Sequence, residues 1–382
     1  MDSIRSDNDL EQLFSSQIGE NPIPVLLHLA RWGGTALALS LITITMAPRP
    51  SQAQVIPDRT LSTPSTVTVN ADGTQVITGG TPAGGNLFHS FRQFSVPNNG
   101  RASFQNIRPD IDRIISRVTG SSASRINGVI EALEENGSVS GADFFLINPN
   151  GIVFGRNGSL NIGGSFLATT AVNADGTQSS ALLTVSVPVG LQFGTAPQPI
   201  RHRSVANLQT EDGEIGFPVA GGLQVAQGKS LALVGGPITI DGGVSIASEG
   251  RLELGSVGAN ESVQLLVREN GLRLGYGDTD AFQTIRLRNA RLNTSGDRSG
   301  TIQIRGDRVY LRDYSRLFAA TSNGAGNDIR IRASWLEMGD RSFATTNLFE
   351  SGQGGDIVVV VDELTLTGGA QLFANVGSRA TG

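Results

Sequence analysis

The sequence predicts an all-β fold, a right-handed parallel β-helix built as a three-sided solenoid with short extra-helical hairpins. Three observations predict it. From Val55 onward the apolar clusters are short and alternate with period two, as in Val67-Thr68-Val69, Ile238-Thr239-Ile240 and Leu252-Glu253-Leu254. Gly accounts for 49 of 382 residues, roughly twice ordinary usage, without the three-residue period of collagen. The last 83 residues fall into three blocks that align with one another.

Those blocks start at Gly300, Asn327 and Gly355 and run for 27, 28 and 28 residues. Each opens on an alternating pair: Ile302/Ile304, Ile329/Ile331 and Ile357/Val359. A second pair follows: Val309/Leu311, Leu336/Met338 and Leu364/Leu366. A third small cluster gathers around Phe318, Phe343 and Phe373, before a Gly/Ser/Asn-rich break. Three strands and three turns per block make one triangular coil. One coil cannot bury its own apolar stripe; a second, stacked about 4.8 Å away, supplies each strand with a parallel partner. Gly382 closes a block with no polar cap, so the expectation is a fragment, or a short relative, of a longer repetitive protein. The only helix-like window is 109–133, where Gly120 and Gly128 favour strand and turn, leaving a short helix for Glu131 to Glu135.

Ahead of the coils lies an address. Gly33 to Ala47 is an uncharged apolar run of 15 residues preceded by Arg31. That is shorter than the ~20 residues of a bilayer span, and Ser51-Gln52-Ala53 follows as a peptidase site. Residues 1–53 therefore read as an extended signal peptide, cut between Ala53 and Gln54.

Charge and composition exclude several functions. The net charge is −5, and Lys229 is the single lysine, so no basic stripe exists to neutralise phosphate and nucleic acid is not an expected partner. The chain has no cysteine, which suits passage through an oxidising compartment. Asp110/Asp112, Asp278/Asp280 and Glu211/Asp212/Glu214 are the only candidate groups for acid/base chemistry, and each sits beside turn residues. A secreted β-helical lyase or glycosidase is the rival reading on those acids. After loss of the leader, His89 and His202 remain, too few for a common zinc site; His202, between Arg201 and Arg203, reads as an exposed loop residue. No catalytic residue, cofactor or metal is expected. Asn-Ala-Asp-Gly-Thr-Gln occurs at 70–75 and 173–178 and reads as a hairpin turn. Arg305-Gly306-Asp307 belongs to a Gly-Asp-Arg turn repeated at 296–298 and 339–341.

The most informative segment is Asp143 to Gly155. Phe144-Phe145-Leu146-Ile147 and Ile152-Val153-Phe154 are apolar strands, joined by Asn148-Pro149-Asn150-Gly151. Pro149 fixes φ at the second turn position, Asn150 tolerates the third, and Gly151 takes a conformation other residues avoid.

Five ordered segments then resemble a family. They are Phe88 to Phe94, Ile115 to Gly120, Leu146 to Gly155, Leu231 to Gly236 and Gly250 to Gly258. Together they resemble the haemagglutination-activity domain of filamentous haemagglutinin, the secretion domain of two-partner exoproteins. The Cys-free, Arg-rich coils are similar to its cyanobacterial branch. The resemblance implies a secretion domain over 54–260 and β-helical repeat coils over 261–382. It also implies export through an outer-membrane β-barrel transporter with polypeptide-transport-associated domains, a secreted or cell-surface location, and a role in adhesion or aggregation against a host-cell or glycan surface. Asn148, Pro149, Asn150 and Gly151 match the family's secretion signature. Ser116, Arg117 and Val118 match a second signature in which Asn usually stands at the position of Ser116. Direct reading by the transporter and turn formation alone both remain open for these residues.

Overall fold

Period-two alternation gives each strand an inward and an outward row, and parallel stacking lays each row of one coil over the same row of the next. The computed structural model describes residues 54–172, 190–210, 218–268 and 271–377, all within the unit Ser51–Gly382. The leader, Ala53, the second Asn-Ala-Asp-Gly-Thr-Gln copy and Glu211/Asp212/Glu214 lie outside the described residues.

The described secondary structure is all strand and turn. Three parallel faces wind through the unit. The first face runs from Asn86–Phe94 through Arg113–Val118, Asp143–Ile147 and Phe166–Thr169 to Ile357–Val360. The second runs from Ser124–Ile126 through Ile152–Phe154 and Ile200–His202 to Glu363–Leu366. The third is split into a sheet containing Arg101–Ile107 and Val129–Glu134 and a later one running from Leu223–Gln224 to Gln371–Phe373. At the N-terminal end, Val55–Pro57 lies antiparallel on Asn86–Phe94 and covers the edge of the first face. The hairpin Ser65–Val69/Thr74–Gly79 does the same for the third. Its turn is the expected one: Asp72 Oδ1 accepts the Thr74 N–H at 2.9 Å.

The three C-terminal blocks pair as aligned: Ile302, Ile329 and Ile357 are register partners, as are Val309, Leu336 and Leu364. The third cluster differs in one position. Phe318 and Phe373 pair with Thr345, whereas Phe343 sits two residues earlier, opposite Arg316 and Gln371. There it meets the Phe318 ring edge-on at 5.3 Å and lies under the Arg316 guanidinium. The expected helix at Glu131 to Glu135 is also corrected. Val129–Glu134 is a strand, because Ile130 and Ala132 point into the core and pair with Ala102 and Phe104. Glu131 points outward and is held by Arg101.

Two apolar layers follow from the winding. Inward residues, among them Phe104, Phe144, Phe154 and Phe166, form a continuous core. A second layer lies outside the first face, where Ser262–Arg268 and Gly271–Gly275 form a hairpin whose Leu265, Leu272 and Leu274 pack with Phe145, Leu167, Ala232 and Val234. A sheet covered on both sides needs apolar residues at every position, which is why Phe144 to Ile147 and Leu231 to Val234 do not alternate. Phe144 meets Phe104 edge-on at 4.9 Å and stacks on Phe166 at 6.1 Å. Phe144→Ala is expected to cost about 4 kcal/mol, read from the shift in the chemical denaturation midpoint. A cost below about 1 kcal/mol would mean that the ring is not in packed core.

Candidate functional site

The Asn-Pro-Asn-Gly segment forms the corner between Asp143–Ile147 on the first face and Ile152–Phe154 on the second. The Gly151 N–H donates to Asn148 O at 3.1 Å, closing the turn. Positive φ falls on Gly151 (105°) and not on Asn150, so only glycine is comfortable there. Asn148 is fully buried and its amide is fully used. Its Nδ2 donates to Ser122 O at 3.0 Å and to Ser124 Oγ at 2.9 Å, while its Oδ1 accepts the Asn150 N–H at 2.9 Å. Asn150 Nδ2 reaches back to Gly120 O at 2.6 Å. The corner is thus bonded to the coil below it, through the end of Ile115 to Gly120 and the turn that follows. Pro149 and Asn150 are half-buried.

The second segment lies one coil earlier on the first face, with Ser116 paired in register between His89 and Leu146. Ser116 and Val118 point inward and are buried. Ser116 Oγ and His89 Nε2 have no hydrogen-bond partner among the described residues. Arg117 points outward, donating to Ser90 Oγ at 3.0 Å and Thr60 Oγ1 at 2.8 Å. Asp58 completes this cluster, accepting from Thr60, Ser90 and Thr119. Those hydrogen bonds hold its carboxyl below the ordinary value even though partial burial pulls the other way. Arg117 therefore helps latch the N-terminal strand onto the first face. Gln54, the expected mature N-terminus, is exposed, and its carbonyl accepts the Ser95 N–H at 3.2 Å.

Among the described residues the candidate acids do not gather into a metal-binding cluster. Asp110 pairs with exposed Arg108 at 2.9 Å, and Asp278 accepts from Gln264 at 3.0 Å. Among the described residues no three His, Asp or Glu side chains gather as a metal site. His202 is a correction: it is fully buried on the strand Ile200–His202, not in an exposed loop. Alternation turns Arg201 and Arg203 out and His202 in, where its Nε2–H donates to Val244 O at 3.0 Å and its Nδ1 accepts the Ser204 N–H at 3.2 Å. Burial lowers its pKa, and that of His89, to about 4. One further group was missed. Outward-facing Glu253 is buried beneath the outer hairpin beside Arg251, and burial raises its pKa to about 7 despite that cation. The signal was the hairpin itself, which strand alternation alone does not locate.

A parallel β-helix sealed by antiparallel strands at its first coils, with the Asn-Pro-Asn-Gly turn built into a corner, is the class of protein that the fold defines. The family model for the TPS secretion domain matches residues 53–304, and the chain belongs to that family. The chain accordingly carries the secretion domain of a secreted exoprotein exported across the outer membrane with an outer-membrane transporter as its partner. Among solved structures it is similar to the HMW1 secretion domain from Haemophilus influenzae, at 14% identity and a TM-score of 0.52, covering 86% of this chain and 91% of that one. It also matches the filamentous hemagglutinin secretion domain at 16% identity and a TM-score of 0.40, covering 85% and 99%. These matches are to secretion domains and not to enzymes. No curated protein matches the sequence.

Proposed function

We propose that Asn148, Pro149, Asn150 and Gly151, with Ser116, Arg117 and Val118, serve export while the chain is extended, engaging a β-barrel transporter through its polypeptide-transport-associated domains. Folding outside the cell then hides Ser116, Val118, Asn148 and Gly151. The observation that carries this reading is the burial of Asn148, whose amide makes four hydrogen bonds inside the folded corner. A partner can reach that amide only before the corner closes. Cleavage between Ala53 and Gln54 frees the strand that seals the first coil. The exported β-helix then serves adhesion or aggregation at a cell surface.

The test compares two variants for stability and for export into the medium. Asn148→Ala orphans Ser122 O, Ser124 Oγ and the Asn150 N–H, and is expected to cost about 3 kcal/mol. Phe154→Ala leaves the signature intact and costs about 4 kcal/mol. Export of Asn148→Ala is expected to fall at least about tenfold below that of Phe154→Ala, although it is the more stable of the two. Export that simply follows stability across both variants would leave turn formation as the segment's whole role.

A further inference from the structure

Beyond the outer hairpin the first face is uncovered, and its outward rows carry an arrangement that export does not use. Arg305 and Arg332 are register partners on adjacent parallel strands, so their side chains leave the same side of the sheet about 4.8 Å apart. Like charges placed directly across a ladder are destabilising. Neither arginine forms an ion pair with a described carboxylate, whereas neighbouring Arg330 is paired with Asp328. Asp280, Asp307 and Asp362 share an adjoining cleft with Arg305 and Arg332, but none of the three forms an ion pair with either arginine. Arg305 instead lies over Phe282, its guanidinium carbon 3.8 Å from the ring centroid. Burial and the charge of Arg332 both work against its protonated form.

A third unused donor continues the row. Gly255 occupies the position below Arg305, and the Tyr276 hydroxyl fills the space a side chain would take there. That hydroxyl is buried and has no hydrogen-bond partner among the described residues. Tyr276, Arg305 and Arg332 line one cleft of about 340 Å³, with Leu274, Val358 and Val360 as apolar walls. Two guanidinium groups without carboxylate partners, side by side on one sheet with an unpartnered hydroxyl next to them, call for a ligand that brings oxyanions at intervals.

We propose that this cleft binds an acidic polysaccharide, whose carboxylate or sulfate groups bridge Arg305 and Arg332 and accept from Tyr276. A repeating polymer suits a row with a fixed repeat, and oxyanions match the guanidinium fork. The site deepens the adhesion reading only in naming a ligand class; binding by purified protein does not depend on the transporter.

The test is direct binding of the full chain to polygalacturonate, dextran sulfate, neutral dextran and polyglutamate. One or both acidic polysaccharides are expected to bind, more weakly as salt rises, with neutral dextran silent. Whichever of the two binds more tightly identifies the oxyanion. Arg305→Gln with Arg332→Gln is expected to weaken binding at least about tenfold, and Tyr276→Phe about threefold. Arg288→Gln, at a residue paired with Asp313 on the second face, should leave binding unchanged. The double variant should melt no lower than the parent, because a like-charge contact has been removed; this separates a lost site from a lost fold. Unchanged binding by the double variant, equal binding of neutral dextran, or equal binding of polyglutamate would overturn the proposal.

Discussion

Gly300→Val is expected to abolish the folded C-terminal coils, read as loss of cooperative melting and as protease cleavage after residue 250. Gly300 sits at the corner leading into Thr301–Arg305, directly over Gly250, which in turn sits over Lys229. A Cβ on Gly300 would lie 2.0 Å from Gly250 O and 2.7 Å from its N and C. These are backbone atoms that no rotamer change can move away. The contact is also where the coils join, since the Thr301 N–H donates to Gly250 O at 2.9 Å. Forcing a branched side chain into it separates two coils along a whole edge, and the strands Arg251–Ser256 and Thr301–Arg305 lose their pairing. Gly300 does not have positive φ, so the requirement is for space and not for conformation. Gly141, exposed, without positive φ, and placed so that an added Cβ would meet nothing within 4 Å, supplies the control at which extra bulk is free. A Gly300→Val protein that melts like the parent would show that the coils are not stacked in this register.

Acid should destabilise the fold, and Glu253→Gln should steepen the effect. His89 and His202 titrate near 6.5 when unfolded and near 4 when folded. Between those values the unfolded chain holds the extra protons, so stability is complete above about pH 6.5 and falls as pH drops toward 4. Each histidine contributes about 3 kcal/mol to that loss. Glu253 acts in the opposite sense. Its folded value is about 7 against 4.5 unfolded, so the folded state holds the proton and gains stability as pH falls from 7 to 4.5. That gain, also about 3 kcal/mol, offsets one histidine. The parent should therefore lose about 3 kcal/mol between pH 7 and pH 4, and Glu253→Gln about 6 kcal/mol. Denaturation midpoints measured at half-unit pH steps check both slopes. Parallel profiles for parent and variant would mean that Glu253 titrates alike in the folded and unfolded chain.

The coil architecture was legible because it rests on local alternation repeated at a fixed interval; Ile302, Ile329 and Ile357 announce one another. The Asn148–Gly151 turn was legible because Pro149 and Gly151 carry strong backbone preferences of their own. What escaped depends on contacts distant in sequence. His202 was hidden by its flanking arginines, although Ile200 and His202 alternate just as Ile238 and Ile240 do. Val129–Glu134 has few residues that prefer strand, and only its pairing with Arg101–Ile107 and Ser159–Asn161 settles its state. The outer hairpin creates a second dry layer, and with it the burial of Glu253 and Tyr276, which no period in the first face reveals. Phe343 sits off the column of Phe318 and Phe373 because an aromatic ring can fill neighbouring space from two residues away.

The direction of the hydrogen bonds has a mechanical consequence. Between coils they run along the tube, so tension on its far end loads a single winding at a time, as in opening a zipper. The last turn peels away while those behind it stay closed, and each release pays out a full winding of slack chain. A tether made this way yields in small steps under a pull and rewinds when the pull relaxes, instead of failing at once.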